Sequence, residues 1–287
     1  MLNVSLPPHI ASRYRLKQLN IRRLAALAPL VFSALYLFGT GFLYSLLAGL
    51  AGSVILPLIV KKWRRNFLDL AEAVFTASVI ALLMPAGVYW YYPLLAGVVI
   101  SGARALLSEK DRLAPLNFMA LTFALFVLAT PEGLAPVYHW STNSGGWAKG
   151  NFYFMTGWLP LALSLVLLLL LTGRLYKVRI LVFSLLTAGI VLWLTGQMAG
   201  HPVTSVFSYA GLQALLFLSG ILAIDNHYTP LTGWGQTLYG LLTGTVFALF
   251  AMKGLLYQGL VFSALTASLF TPFLDCLFTG GYRRSKT

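Results

Sequence analysis

Acidic side chains are scarce in this chain: seven Asp and Glu stand against twenty Lys and Arg in 287 residues, and charged residues of either sign make up only 9%. Soluble globular proteins carry about 25% charged residues, so a water-facing polar shell is excluded. Cysteine is nearly absent too. The single Cys276 rules out a disulfide within the chain and any iron–sulfur or zinc site built from several cysteines. A redox centre must then be organic or borrowed. The four histidines, His9, His139, His201 and His227, are scattered, whereas a metal needs three or four converging ligands; no metal site is expected. The sequence also lacks a phosphate-cradling glycine loop ending in Lys-Ser or Lys-Thr, a His-Glu-x-x-His helix and any readable Ser–His–Asp arrangement.

What fills the chain is apolar residue, 59% of the total. It is gathered into runs at about 24–41, 42–60, 67–85, 87–104, 115–130, 153–172, 180–196, 205–224, 237–255 and 257–278, lengths suited to crossing a bilayer. The spacing predicts an all-α integral membrane protein of about ten transmembrane helices. A net charge of +13 raises the question of nucleic acid, and position answers it. With the N-terminus inside, eighteen of the twenty Lys and Arg fall in the cytoplasm, and only Lys149 and Lys253 fall outside. That distribution follows the positive-inside rule. Both termini are therefore expected in the cytoplasm of a multi-pass inner-membrane protein, with the basic clusters touching anionic lipid rather than nucleic acid. Residues 1–23 hold five basic groups and no apolar core, which suits a cytoplasmic arm and not a cleavable signal.

Five spans per half force the second half to enter the membrane with the opposite orientation. Internal similarity supports the split: NFMALTFALFVLATPE (117–132) resembles LVFSALTASLFTPFLD (260–275), and VIALLMPAG (79–87) weakly resembles GILAIDNHY (220–228). The expected organisation is a basic arm (1–23), a first five-helix repeat (24–130), an outer loop (131–152), a second, inverted repeat (153–278) and a cytoplasmic tail (279–287). Inverted repeats place their working site between interrupted helices near the midplane. The stretch from Asp225 to Gln236 marks such an interruption, because Pro230 stops a helix and Gly233 and Gly235 permit a tight reversal.

Each polar candidate carries two readings. Glu72, one turn from Asp69, is either an ion or proton way-station or a salt-bridge partner of Lys61, Lys62, Arg64 or Arg65, since an ionised carboxylate near a membrane must be paired or wetted. Asp225 and Asp275 are bridges to basic arm or tail residues, or parts of a shared ion path. Asn117 either bonds a polar ligand or caps the fifth span. The aromatics Tyr89 to Tyr92, and Trp140, Trp147 and Tyr153, are membrane-interface anchors or stacking surfaces for a flat heterocycle.

The run Thr-Pro-Leu-Thr-x-x-Gly-Gln-x-Leu-Tyr-Gly-Leu-Leu-x-Gly, Thr229 to Gly244, resembles the segment after the eighth span in the RnfD/NqrB family of membrane subunits. Pro8-His9-Ile10, Leu116 to Ala120 and Thr271 to Asp275 look like further family stretches in the expected order. The resemblance implies ten helices in two inverted halves, a fold related to urea-type channels, and a place among other membrane and redox subunits in an ion-pumping electron-transfer complex. It also implies flavin, in the family joined covalently as FMN to a Thr in Ser-Gly-Ala-Thr. That motif is missing here; the nearest hydroxyls are Thr142 and Thr156. Covalent FMN is therefore not expected, and a noncovalent riboflavin or FMN is, with Asn117, Thr142, Thr156, Asp225, Thr229 and Thr232 as contacts and Glu72 and Asp275 on an ion path. The alternative is a urea-channel-like transporter or channel for a small polar solute. A reporter fused to either end should read cytoplasmic; an outward reading at one end only would overturn the paired five-span scheme.

Overall fold

The computed structural model describes residues 13–61, 70–85, 88–107, 117–129, 157–172, 177–199, 209–223, 229–253 and 255–279. Among the described residues there are ten α-helices: α1 (Arg13–Phe38), α2 (Thr40–Lys61), α3 (Leu70–Leu83), α4 (Tyr91–Leu107), α5 (Phe118–Ala129), α6 (Trp158–Thr172), α7 (Val178–Ala199), α8 (Tyr209–Phe217), α9 (Gly233–Ala251) and α10 (Leu256–Thr279). Each falls on one of the expected apolar runs. Three contain stretches long and apolar enough to cross a membrane, Gln18–Phe38, Val178–Thr195 and Leu256–Phe278; others, such as Leu70–Leu83 and Trp158–Thr172, are apolar but shorter. The largest boundary difference is in α1, which starts at Arg13 inside the basic arm. The sequence RYRLKQLNIRR holds no Gly or Pro and is rich in good helix formers, so the span's helix extends into the arm at little cost.

The helices pack in a recurring arrangement. α2 lies against α4 and α7 against α9, while α1 packs on α6 and α5 on α10. Glycine sets the close approach in the first two pairs. A Cβ on Gly97 of α4 would sit 2.6 Å from the Gly49 carbonyl oxygen of α2, and one on Gly240 of α9 would sit 2.9 Å from the Ile180 carbonyl oxygen of α7. Small residues let backbones meet in this way where lipid offers no hydrophobic push between helices.

Large apolar side chains such as Phe32, Tyr36, Leu170, Leu186, Ile190 and Trp193 are exposed along the helices. In water such a surface would associate; in lipid it is solvated. Most buried hydroxyls inside close on their own helix, as Thr122 does on the Phe118 carbonyl, Ser219 on Leu215 and Thr243 on Tyr239.

Among the described residues, two helices end inside the protein. α3 stops at Leu83, with Leu82, Leu83 and Met84 buried, and the Met84 amide donates to the Ile80 and Ala81 carbonyls. α8 changes at Phe217 into a π-helical turn, Leu218–Leu222, all of it buried. The Ala223 amide closes that turn on the Leu218 carbonyl at 2.7 Å. Pro272 sits within α10, a placement that membrane helices tolerate when neighbours satisfy the freed backbone.

Placing Leu at Gly97 should destabilise the fold by about 1–3 kcal/mol, the usual cost of overpacking, whereas Leu170→Ala on the lipid-facing side should change stability by no more than about 0.5 kcal/mol. Equilibrium unfolding in mixed detergent measures both.

Candidate functional site

A helix that ends in lipid leaves its last carbonyls without partners, and each must be paired by the protein. Asn117 does this for the π-turn. It is 2% exposed, just ahead of α5, and its Nδ2 donates to the Leu222 carbonyl at 3.1 Å while its Oδ1 accepts from the Ala120 amide at 3.1 Å. Its own amide donates to Ser268 Oγ of α10 at 3.2 Å. One side chain therefore caps α5, closes the end of the α8 segment and, through its backbone, ties both to α10. The capping reading of Asn117 is seen in the bond from the Ala120 amide.

The second cluster lies around the Thr229–Thr232 turn. Lys177, next to the start of α7, donates through Nζ to the Thr229 carbonyl at 3.0 Å, to the Thr229 hydroxyl and to the Pro230 carbonyl at 3.0 Å. From the other side, Asp275 Oδ1 of α10 accepts from the Leu231 amide at 3.0 Å. Thr232 is the N-cap of α9: its backbone is extended and its hydroxyl accepts from the Gly235 amide at 3.1 Å. Gln236 Nε2 adds a bond to the Pro230 carbonyl at 3.3 Å. Thr229 and Pro230 are buried, while Leu231 is 70% exposed.

The two clusters are distinct. Ser268 and Asp275 are seven residues apart on α10, roughly 10 Å along a helix, so Asn117 is not gathered with Thr229, Thr232 and Asp275. Glu72 stands apart again. It is 44% exposed in the first turn of α3 and pairs at 3.1 Å with Arg104 of α4, which is 19% exposed and also donates to Thr76 Oγ1 at 2.9 Å. Pairing with a basic group is the expectation; the partner found is Arg104, in the last turn of α4, a helix that contacts α3, and the side chains of Lys61, Lys62, Arg64 and Arg65 lie outside the described residues. Asp275 meets the backbone of the turn before α9, at the Leu231 amide. Asp225, Thr142 and Thr156 also lie outside the described residues.

Comparison with known proteins bears on what these clusters serve. The sequence profile of the NQR2, RnfD, RnfE family matches residues 3–103 and 133–280. The chain belongs to that family. It is also similar to the D-type subunit of the ion-translocating oxidoreductase complex of Methanosarcina acetivorans, 24% identical over 282 residues, covering 95% of this chain and 93% of that protein.

Within this NQR2, RnfD, RnfE family member, the Thr229 to Gly244 stretch runs through the turn and most of α9, and Thr271 to Asp275 brings the carboxylate that meets it. Both stretches lie in the second matched range. Residues 104–132, with α5 and Asn117, fall between the ranges.

Sequence reasoning misses Lys177, Arg104, Gln236 and Ser268. Orientation alone accounts for Lys177 and Arg104, and nothing local marks which backbone groups a lysine will reach. Ser268 lies in the ALTASLF stretch, which resembles residues 117–132 in sequence, but nothing in that resemblance marks its partner. Asn117→Ala should cost about 2–4 kcal/mol, the sum of a lost N-cap and a buried carbonyl left unpaired, while Thr232→Ala should cost about 1 kcal/mol; the same unfolding measurement separates them.

Proposed function

We propose that the protein is the D-type membrane subunit of an ion-translocating oxidoreductase complex, lodged in the cytoplasmic membrane among other membrane and redox subunits. The observation that carries this reading is the near full-length similarity to a subunit of that type together with the family match. The all-helical, lipid-facing architecture suits it.

The reading includes two inverted five-helix repeats, α1–α5 and α6–α10. Helix pairing supports that division: α2 on α4 corresponds to α7 on α9, and the contacts α1 to α6 and α5 to α10 join equivalent members. The interior stops of α3 at Leu83 and of the α8 segment at Leu222 correspond under the 79–87 and 220–228 match within about one turn.

A noncovalent flavin or related cofactor is part of the proposal, with Asn117, Thr229 and Thr232 as its candidate contacts among the described residues. The Asn117 side-chain amide already bonds Leu222 and Ala120, the Thr229 hydroxyl accepts from Lys177 and the Thr232 hydroxyl from Gly235, so a flavin would share these groups with the helix ends they hold, through the donor and acceptor capacity that a hydroxyl or amide retains. Flavin, where bound, would supply one- and two-electron chemistry. For ion movement the reading assigns Glu72 and Asp275, each held by a partner that must let go for charge to pass.

The test is to tag the chain in its native host, purify it in mild detergent and identify what accompanies it. Redox subunits should copurify, and the desalted preparation should retain the visible absorption of oxidised flavin, natively or after adding riboflavin or FMN. A chain that purifies alone and retains no flavin would retire the proposal.

A further inference from the structure

Gln213, in the second turn of α8, is 1% exposed, and its Nε2 finds no hydrogen-bond partner among the described residues. The Ser53 and Ser164 hydroxyls are also buried and unmatched, but a serine in a helix is one rotation from a carbonyl of its own preceding turn. A glutamine amide stands farther out, and when it is left dry and unmatched in a lipid-embedded core it costs free energy. Polar side chains kept inside membrane helices against such a cost mark sites and paths.

Its place in the fold says which path. Carried back along both helices without a gap, the match of 79–87 with 220–228 aligns Ile80 with Ile221, Ser78 with Ser219, Ala73 with Ala214 and Glu72 with Gln213. The hydrogen bonds follow the same alignment: Ser78 donates to the Val74 carbonyl at 2.8 Å, and Ser219 to the equivalent Leu215 carbonyl at 2.7 Å. α4 and α9 align independently, through their glycines. A Cβ on Gly97 would crowd the Gly49 carbonyl oxygen and the Ser53 nitrogen of α2; one on Gly244 would crowd the Ser184 carbonyl oxygen and the Ala188 nitrogen of α7, again four residues apart. Seven residues beyond these glycines stand Arg104 and Ala251. α8 contacts α9 as α3 contacts α4. Where the first half sets Arg104 against Glu72, the equivalent positions of the second half hold a buried alanine and a neutral amide. Both members of the pair lose their charge together, since a carboxylate at position 213 would lack the cation that Arg104 supplies.

We propose that Gln213 is the outer station of the ion path on which Glu72 stands at the cytoplasmic entry, and that it binds a small cation through the ion's hydration water. This rests on the proposed two-repeat, ion-moving subunit. Inversion turns equivalent residues toward opposite membrane faces; Glu72 and Asp275 belong to the cytoplasmic side in that reading, and Gln213 supplies the outer half. The amide N–H takes a water oxygen, and the amide oxygen accepts from water or meets the cation itself. Gln213 holds no fixed charge, so an ion bound there leaves without breaking a charge pair.

The test reads water access from each side of native-host membranes that carry the full chain with the exposed Cys276 replaced by Ser. Single cysteines are placed at Gln213, at Glu72 or, as a dry control, at Ser45 of α2, which is buried. Intact cells present the outer face, and inverted vesicles the cytoplasmic face, to a small, impermeant, cationic methanethiosulfonate. Position 213 should react from the outer face about tenfold or more faster than position 45, as a group reached by water does against a packed one, and position 72 should do so from the cytoplasmic face. A rate at position 213 no higher than at position 45 from the outer face overturns the outer station. If positions 213 and 72 react from the same face, the two-repeat reading falls with it; if 72 reacts from the cytoplasm and 213 from neither face, that reading stands and the outer station alone fails. Gln213→Leu keeps the test decisive should the cysteine variant not fold. It removes the unmatched amide at similar volume, so the thermal unfolding midpoint in detergent should stay or rise; a clear fall would mean that the amide serves a structural partner, and would overturn the proposal.

Discussion

Backbone amides and carbonyls cannot be left bare in lipid, and this constraint organises the molecule wherever a helix is interrupted. An uninterrupted helix satisfies itself. The α8 segment ends within the protein, so the Leu222 carbonyl draws Asn117; the Thr229–Thr232 turn breaks off between helices, so its carbonyls and amide draw Lys177 and Asp275. The polar side chains that stand out against an apolar sequence are thus mostly bound to backbone. Their placement is dictated by where helices stop.

The second organising element is the close contact of helix backbones. Gly49 and Gly97 bring α2 and α4 together, as Gly240 brings α9 onto α7. Buried polar groups on these pairs, such as Ser184 of α7 and Thr243 of α9, are hydroxyls that bond their own helix. Arg104 belongs to both themes, standing on α4 while bonding Glu72 and Thr76 of α3.

Much of this is legible from residues alone, for a physical reason. A bilayer demands long apolar runs and sorts basic residues to one side, so span positions and an all-helical class are written in composition and charge. Element interiors are read well, while ends are not: α1 reaches back to Arg13 because nothing between Arg13 and Arg23 breaks a helix. The π-turn is invisible, since Leu-Ser-Gly-Ile-Leu reads like any apolar stretch, and its wider winding depends on what packs around it. Asn117 reads as a cap or a ligand, and choosing between them requires the position of Leu222, 105 residues away in the chain. Lys177 escapes notice because the positive-inside pattern already explains a lysine there, although the fold puts it to a second use.

The π-turn has a geometric consequence of its own. A π-turn carries one residue more than an α-helical turn would, and in a helix each residue advances the azimuth by about 100°. The bulge therefore works as a phase shifter at the close of the α8 segment: the Leu222 oxygen that meets Asn117 is aimed by that added increment. A lineage that lost one residue between Leu218 and Leu222 would keep an apolar helix and nearly the same length, yet turn that oxygen away from its amide.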